Sequence, residues 1–217
     1  MRKLVSEVEG LEGAAEVGAS ARSQLYLLFS DSFHVPDEEF YTDVRSGKLG
    51  GWIRDALERL PYALDGKNSV ELLKAEGDYP EFNAEFMRLF EVGLPGPKCP
   101  LNETQYLGGQ ATVFEDLVRF YNFFDLSAAQ ARELPDHLRI ELDFMHFLTF
   151  KETERLHGGL DAGSFVRAQR DFLERHLSRW APLLRPKAEE AAALDFFQGL
   201  TGLLEGFICC ECAFLRG

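Results

Sequence analysis

Three stretches of the chain carry residue types that could do chemistry. Cys209, Cys210 and Cys212 stand together near the C-terminus, and thiolates are good zinc ligands. On a helix, however, only Cys209 and Cys212 share a face, no second Cys-rich knuckle exists, and Cys99 sits in a distant loop, so the expectation is small buried thiols and no metal site. Glu154-x-x-His157 has the spacing of a di-iron helix ligand pair. A di-iron bundle needs two such motifs and two further carboxylates, whereas this pair lies in the polar run Lys151 to Arg155, which reads as surface charge. The third stretch is Glu133-Leu134-Pro135-Asp136-His137. Proline and an acid in the first turn are what a helix start requires. Alternatively, Asp136 and His137, at a helix terminus facing a groove, could offer acidic and hydrogen-bonding contacts to a basic peptide. Local capping is sufficient by itself.

Catalytic signatures are missing. The chain has no Gly-x-x-x-x-Gly-Lys-Ser/Thr and no Gly-x-Gly-x-x-Gly after a strand, so nothing cradles a phosphate. None of its five histidines, His34, His137, His146, His157 and His176, forms a nucleophile and base arrangement at a recognised turn. The weight therefore falls on binding, with no catalytic residue and no cofactor assigned. Two other classes stay open: a small helical nucleotide-binding or hydrolysing protein using 91–109 as a lid, and a thiol- or metal-dependent regulator built on the three clustered cysteines.

The elements that must position these residues read as helices. Apolar residues recur at three and four, and strand-like alternation is hard to find. Leu25, Leu28 and Phe29 make a stripe over about Ala19 to Phe33, and Pro36 with Asp37, Glu38 and Glu39 starts a short helix ending near Gly47. Helices follow at Trp52 to Leu60, Val70 to Ala75 and from Pro80, where Phe82, Phe86, Leu89 and Phe90 share one face. Glu91 to Gly109 contains Gly93, Pro95, Gly96, Pro97, Pro100, Gly108 and Gly109, a density of breakers that predicts a long loop, either a hinge or a binding edge. Helices then run over Gln110 to Leu126, Pro135 to His157, Asp161 to Trp180 and Ala188 to Phe214. The expected architecture is all-α: one compact domain of about ten helices over 19–217, with an N-terminal extension at 1–18 and the central Pro/Gly-rich loop at 91–109.

Composition narrows the partners. Hydrophobic residues are 46% of the chain and Phe alone accounts for 19, enough apolar surface to build a core. Lys and Arg number 23 against 36 Asp and Glu, a net charge of −13, which excludes a nucleic-acid backbone as the expected ligand and favours cationic partners. Met1-Arg2-Lys3-Leu4-Val5 begins basic, but Ser6 to Gly10 interrupts any export-signal apolar run, and Glu205 and Glu211 break the most apolar stretch, so the cytoplasm is expected and membrane insertion is not.

Four ordered features resemble the TorD/DmsD/NarJ family of redox-enzyme maturation chaperones. They are Leu25-Tyr26-Leu27-Leu28-Phe29 followed by Pro36; Glu85-Phe86-Met87-Arg88-Leu89-Phe90 before a Pro-rich loop; Pro97-x-x-Pro100-x-x-Glu103-Thr104-x-Tyr106; and Glu133-x-Pro135-Asp136-His137-Leu138 running into Glu141-Leu142-x-Phe144-Met145. The resemblance spans roughly residues 20 to 215. It implies an all-α cytoplasmic chaperone that binds the apo catalytic subunit of a molybdopterin-dependent oxidoreductase and its twin-arginine leader peptide, holding it for cofactor insertion and delaying export. By the same resemblance Glu133, Pro135, Asp136 and His137 belong to the leader-binding region, with Glu103 and Tyr106 beside it. Asn102-Glu103-Thr104 departs from the Glu-Ser of many members, which points to a different client preference. A monomer and a helix-swapped dimer are both compatible with so long a central loop.

Overall fold

A computed structural model describes residues 10–75, 77–126, 133–192 and 194–217. The basic start at Met1 to Val5 lies outside the described residues, as does half of the expected extension. Helix α1 (Ala14–Ser32) begins five residues before its apolar stripe, because Glu16 folds back and accepts the backbone N–H groups of Glu12 at 2.9 Å and Gly13 at 2.6 Å. That contact satisfies donors which a bare helix end would leave open. Helix α2 (Glu38–Arg45) starts where Pro36 and Asp37 predict, with Asp37 capping the N–H of Phe40 at 2.8 Å. Helix α3 (Lys48–Glu58) absorbs Gly50 and Gly51 into its first turns, and α4 is a short piece (Lys67–Leu72).

Helix α5 (Tyr79–Phe86) runs into a π-helical turn at Met87–Glu91, which keeps Leu89 and Phe90 buried beside Phe86. The breaker-rich stretch that follows is less irregular than its composition predicts. Thr104–Leu107 forms one helical turn, α6, because Tyr106 and Leu107 both donate their N–H to the carbonyl of a buried Glu103. Helix α7 (Gln110–Phe123) starts directly after Gly108 and Gly109, both at positive φ, where glycine carries no steric penalty.

Helix α8 (Leu138–His157) begins three residues later than the sequence pattern suggests, since Asn102 and His137 instead form an antiparallel bridge. The helix expected from Asp161 to Trp180 is broken at His176 (φ −125°, ψ −95°) into α9 (Gly163–Arg175) and α10 (Leu177–Trp180). Beyond a short 3₁₀ turn, the last expected helix is likewise two: α11 (Leu184–Ala191) and α12 (Asp195–Arg216). Ala192, in extended backbone, ends the first of them. The described residues are therefore all-α, with no strand.

Three long helices organise the packing. The most extensive contact is between α1 and α8, while α12 lies against α4, α9 and α11. Phenylalanine supplies most of the glue. Phe82 stacks on Phe197 at 5.2 Å, with Phe86, Phe90 and Phe196 around them; Phe144 meets Phe172 at 4.8 Å, with Phe120 and Tyr121 beside it. Such pairs add about 0.5 to 1.5 kcal/mol beyond their burial. Helix α12 is long and apolar enough to cross a membrane by length and composition. Its composition has a local cause: eleven of its residues are buried, among them Glu211, whose carboxylate holds the buried Arg22 of α1.

Candidate functional site

The segment Glu133 to His137 does not simply start a helix. It pairs with residues 101–104: Glu103 N–H donates to the Asp136 carbonyl at 3.0 Å, and Leu138 N–H donates to the Leu101 carbonyl at 2.7 Å. The Asp136 side chain, fully buried, accepts from Asn102 Nδ2 at 2.9 Å, Thr104 N at 3.1 Å and Thr104 Oγ1 at 2.6 Å. Its carboxylate fastens the central loop to the base of α8. Pro135 offers its carbonyl to the Tyr121 hydroxyl at 2.9 Å, and the His137 ring caps α8, its Nδ1 accepting the Arg139 N–H at 3.3 Å. Burial in this setting pushes the His137 imidazole down to about 4, so the ring is neutral at neutral pH.

The six residues singled out in the sequence divide into two groups. Asp136 and Glu103 are enclosed. Glu103 Oε2 lies 2.9 Å from His176 Nδ1, whose Nε2 is 3.2 Å from Asp116. Tyr106 stands beside them, its ring centre 5.5 Å from that of Trp180 and 5.0 Å from the Lys187 ammonium. Glu133, Pro135 and His137 are partly exposed. Glu133 forms an ion pair with the buried Arg139, which also reaches the Ser30 carbonyl at 3.3 Å. Despite partial burial, backbone hydrogen bonding and the nearby Arg139 hold the Glu133 carboxyl below its ordinary value. Glu91 is close enough that burial, reinforced by the Glu133 charge, raises its own.

Arg139 is also one side of a cavity of about 250 Å³ between the end of α1, α2 and α3. Leu28, Phe40, Leu49 and Trp52 line it with apolar surface, and Asp31, Asp37, Glu39 and Asp43 add four carboxylates. Asp43 already pairs with Lys48 at 3.0 Å, and Asp37 serves as a helix cap. The volume suits one or two side chains and falls short of the several hundred Å³ of a cofactor cleft. Val35 also lines it and is exposed, and Val92 and Leu134, the sequence neighbours of Glu91 and Glu133, are exposed apolar side chains. An apolar depression bordered by acids attracts a ligand combining a cation with an apolar group.

Sequence reasoning passed over this depression. The dense acids from Asp31 to Asp43 are visible in the sequence, but each reads locally as a cap or a solvated charge. The pairings of Glu141 with Trp180 and of His176 with Glu103 gave no local signal, since they join distant parts of the chain, whereas Arg139 pairs with Glu133 within the same segment. The other chemical candidates resolve simply. His157 Nδ1 lies 3.1 Å from Glu16, tying α8 to the start of α1. Cys99 is buried, and burial raises its thiol to about 11, but Cys209 is exposed and Cys210 and Cys212 are only partly covered, contrary to the buried thiols expected. The helix presents Cys209 on its outer side. Among the described residues, no three of His, Cys, Asp and Glu are placed to hold a metal.

The chain is similar to several known proteins. The family model for the nitrate reductase delta subunit matches residues 53–185. The perchlorate reductase assembly chaperone protein of Dechloromonas aromatica (strain RCB) is 36% identical over 87% of this chain and 87% of its own length. The selenate reductase assembly chaperone protein of Thauera selenatis is 40% identical over 56% of this chain and 66% of its own. At greater distance, the chaperone protein TorD of Aliivibrio salmonicida is 26% identical over 90% and 95% of the two chains.

Proposed function

Because the chain belongs to the nitrate reductase delta subunit family, we propose that it is an assembly chaperone, a binding protein and not an enzyme, serving one oxidoreductase system. Its client is the apo catalytic subunit of a molybdenum oxidoreductase, met in the cytoplasm before cofactor insertion and export. Similarity to chaperones named for perchlorate and selenate reductases supports the class of client. The observation that carries the mode of binding is the acid-bordered apolar cavity next to Glu133 and His137.

A twin-arginine leader joins fixed cations to an apolar segment. Its apolar side chains would enter between Phe40, Leu49 and Trp52, while its guanidinium groups meet the carboxylates of Asp31, Glu39 and Asp43. In this reading Glu133 and His137 border the peptide. Asp136, Glu103 and Tyr106 act by holding the surface in shape.

Calorimetric titration with a leader peptide and with the apo catalytic subunit tests the proposal. Binding should weaken with salt, and Asp43→Asn or Trp52→Ala should reduce peptide affinity about tenfold, the size of one lost ionic or aromatic anchor. Undiminished binding by both variants would remove the cavity from the account. Absence of binding to both ligands would remove the chaperone assignment itself.

A further inference from the structure

Beneath this surface, where 101–107 meets α8, acids converge with little to neutralise them. Asp136 is answered by three donors, and Glu103 faces His176. Glu141 is different. It is fully buried, its Oε2 accepts from Trp180 Nε1 at 3.2 Å, and its Oε1 has no donor in reach among the described residues. The carboxyl it does meet is that of Glu103. Two ionised carboxylates offer each other only acceptors, so they cannot bond and they repel in a dry interior. One proton between them supplies the missing donor and removes the repulsion.

We infer that Glu141 keeps its proton at neutral pH and donates it to Glu103, so that a single buried proton latches the 101–107 segment onto α8. The surroundings favour the neutral form. Burial first, then the Glu103 and Asp136 charges, push the Glu141 carboxyl well above its ordinary value, against the Trp180 hydrogen bond. From α7, Tyr121 faces the same acids, and burial raises its hydroxyl too, keeping it a donor to Pro135. His176 and Asp116 stand one step further, behind Glu103. Loss of the proton places a second negative charge in the seam, and the segment parts from α8 at the Glu103 and Leu138 amides.

This inference does not depend on the identity of any client. The sign follows from the raised value. The proton's stabilisation is complete below the unfolded glutamate value and is lost as pH rises towards the folded one, at up to tenfold in the folding equilibrium per pH unit, about 1.4 kcal/mol. Glu141→Gln keeps a donor for Glu103 and an acceptor for Trp180 with no proton to lose.

Denaturant unfolding of the full chain from about pH 5 to about pH 9 should show the wild type losing stability relative to Glu141→Gln by up to that factor per unit. Hydrogen exchange at Glu103 and Leu138, corrected for intrinsic rates, should accelerate with pH in the wild type alone. Carboxyl ¹³C spectra of the wild type should show Glu141 protonated at neutral pH, and they decide the matter even if the variant folds poorly. Parallel stability profiles for the two proteins, or a Glu141 carboxyl already ionised at about pH 6, would overturn the latch.

Discussion

Replacing Arg22 by Met removes one cation from the centre of the molecule and little of its volume. The Arg22 side chain is fully enclosed. Its Nε donates to Glu211 Oε1 at 2.6 Å, Nη1 to Glu152 Oε2 at 2.9 Å, and Nη2 to Gln169 Oε1 at 2.5 Å and Glu211 Oε2 at 2.9 Å. The Phe214 ring covers the guanidinium at 5.1 Å. One side chain thus ties α1 to α8, α9 and α12. Burial opposes its charge, yet Glu211 and Glu152 together push its pKa above even the usual arginine value.

Arg22→Met strands two carboxylates inside the protein. Removing one partner of a buried ion pair costs about 3 to 5 kcal/mol. The lower figure applies here, because Tyr26 and Tyr62 still donate to Glu211 at 2.8 and 2.6 Å, and Gln169 still donates to Glu152 at 2.8 Å. With a urea slope of about 2 kcal/mol per M, a loss of about 3 kcal/mol lowers the unfolding midpoint by about 1.5 M. Circular dichroism during urea titration reads this directly. The deficit should shrink in acid, where protons take over part of the cation's role, and Arg22→Met combined with Glu152→Gln and Glu211→Gln should recover most of it. A midpoint change below about 0.5 M, or a triple variant no better than the single one, would refute the reasoning.

The packing and burial of other residues set further outcomes. Gly199 lets α4 approach α12 closely, since a Cβ there would lie 2.7 Å from both Leu72 Cβ and the Ser69 carbonyl. Gly199→Ala should cost about 1 to 3 kcal/mol in thermal unfolding, while Gly51→Ala, which meets nothing within 4 Å, should not destabilise. Asp136→Ala leaves three donors of Asn102 and Thr104 unanswered and should lower stability by about 2 to 4 kcal/mol in denaturant; unchanged stability with lost peptide affinity would make Asp136 a direct contact. His137, held neutral at about 4, contributes stability that is complete above the unfolded histidine value and lost as pH falls from about 6.5 to about 4. His137→Asn keeps a capping acceptor and should flatten that acid limb in a stability titration. Alkylation of the native protein should mark exposed Cys209 well before buried Cys99, as peptide mass mapping would show.

Much of this protein was written in local pattern. Spacing of three and four, with Pro36 and Asp37 at one helix start and nineteen phenylalanines to fill a core, determined an all-α chain. The ordered motifs from Leu25 to Met145 carried the family, because each keeps its residue types within a few positions. Element ends were less legible. Thr104 to Leu107 folds as a turn inside a breaker-rich stretch, around a Glu103 whose amide is held by distant Asp136, and His176, where a helix splits, faces the same Glu103 from far along the chain.

Tertiary structure alone decided which charged groups are inside. Asp136 looks the same in sequence whether it caps a helix in water or binds Thr104 in the core, and Arg22 sits between Ala21 and Ser23 with nothing to mark it. Its partners lie 130, 147 and 189 residues away. Helical periodicity arises within one turn of backbone, so a sequence displays it. The environment of a carboxylate or guanidinium depends on which distant helices pack around it, and that is settled only when the core closes.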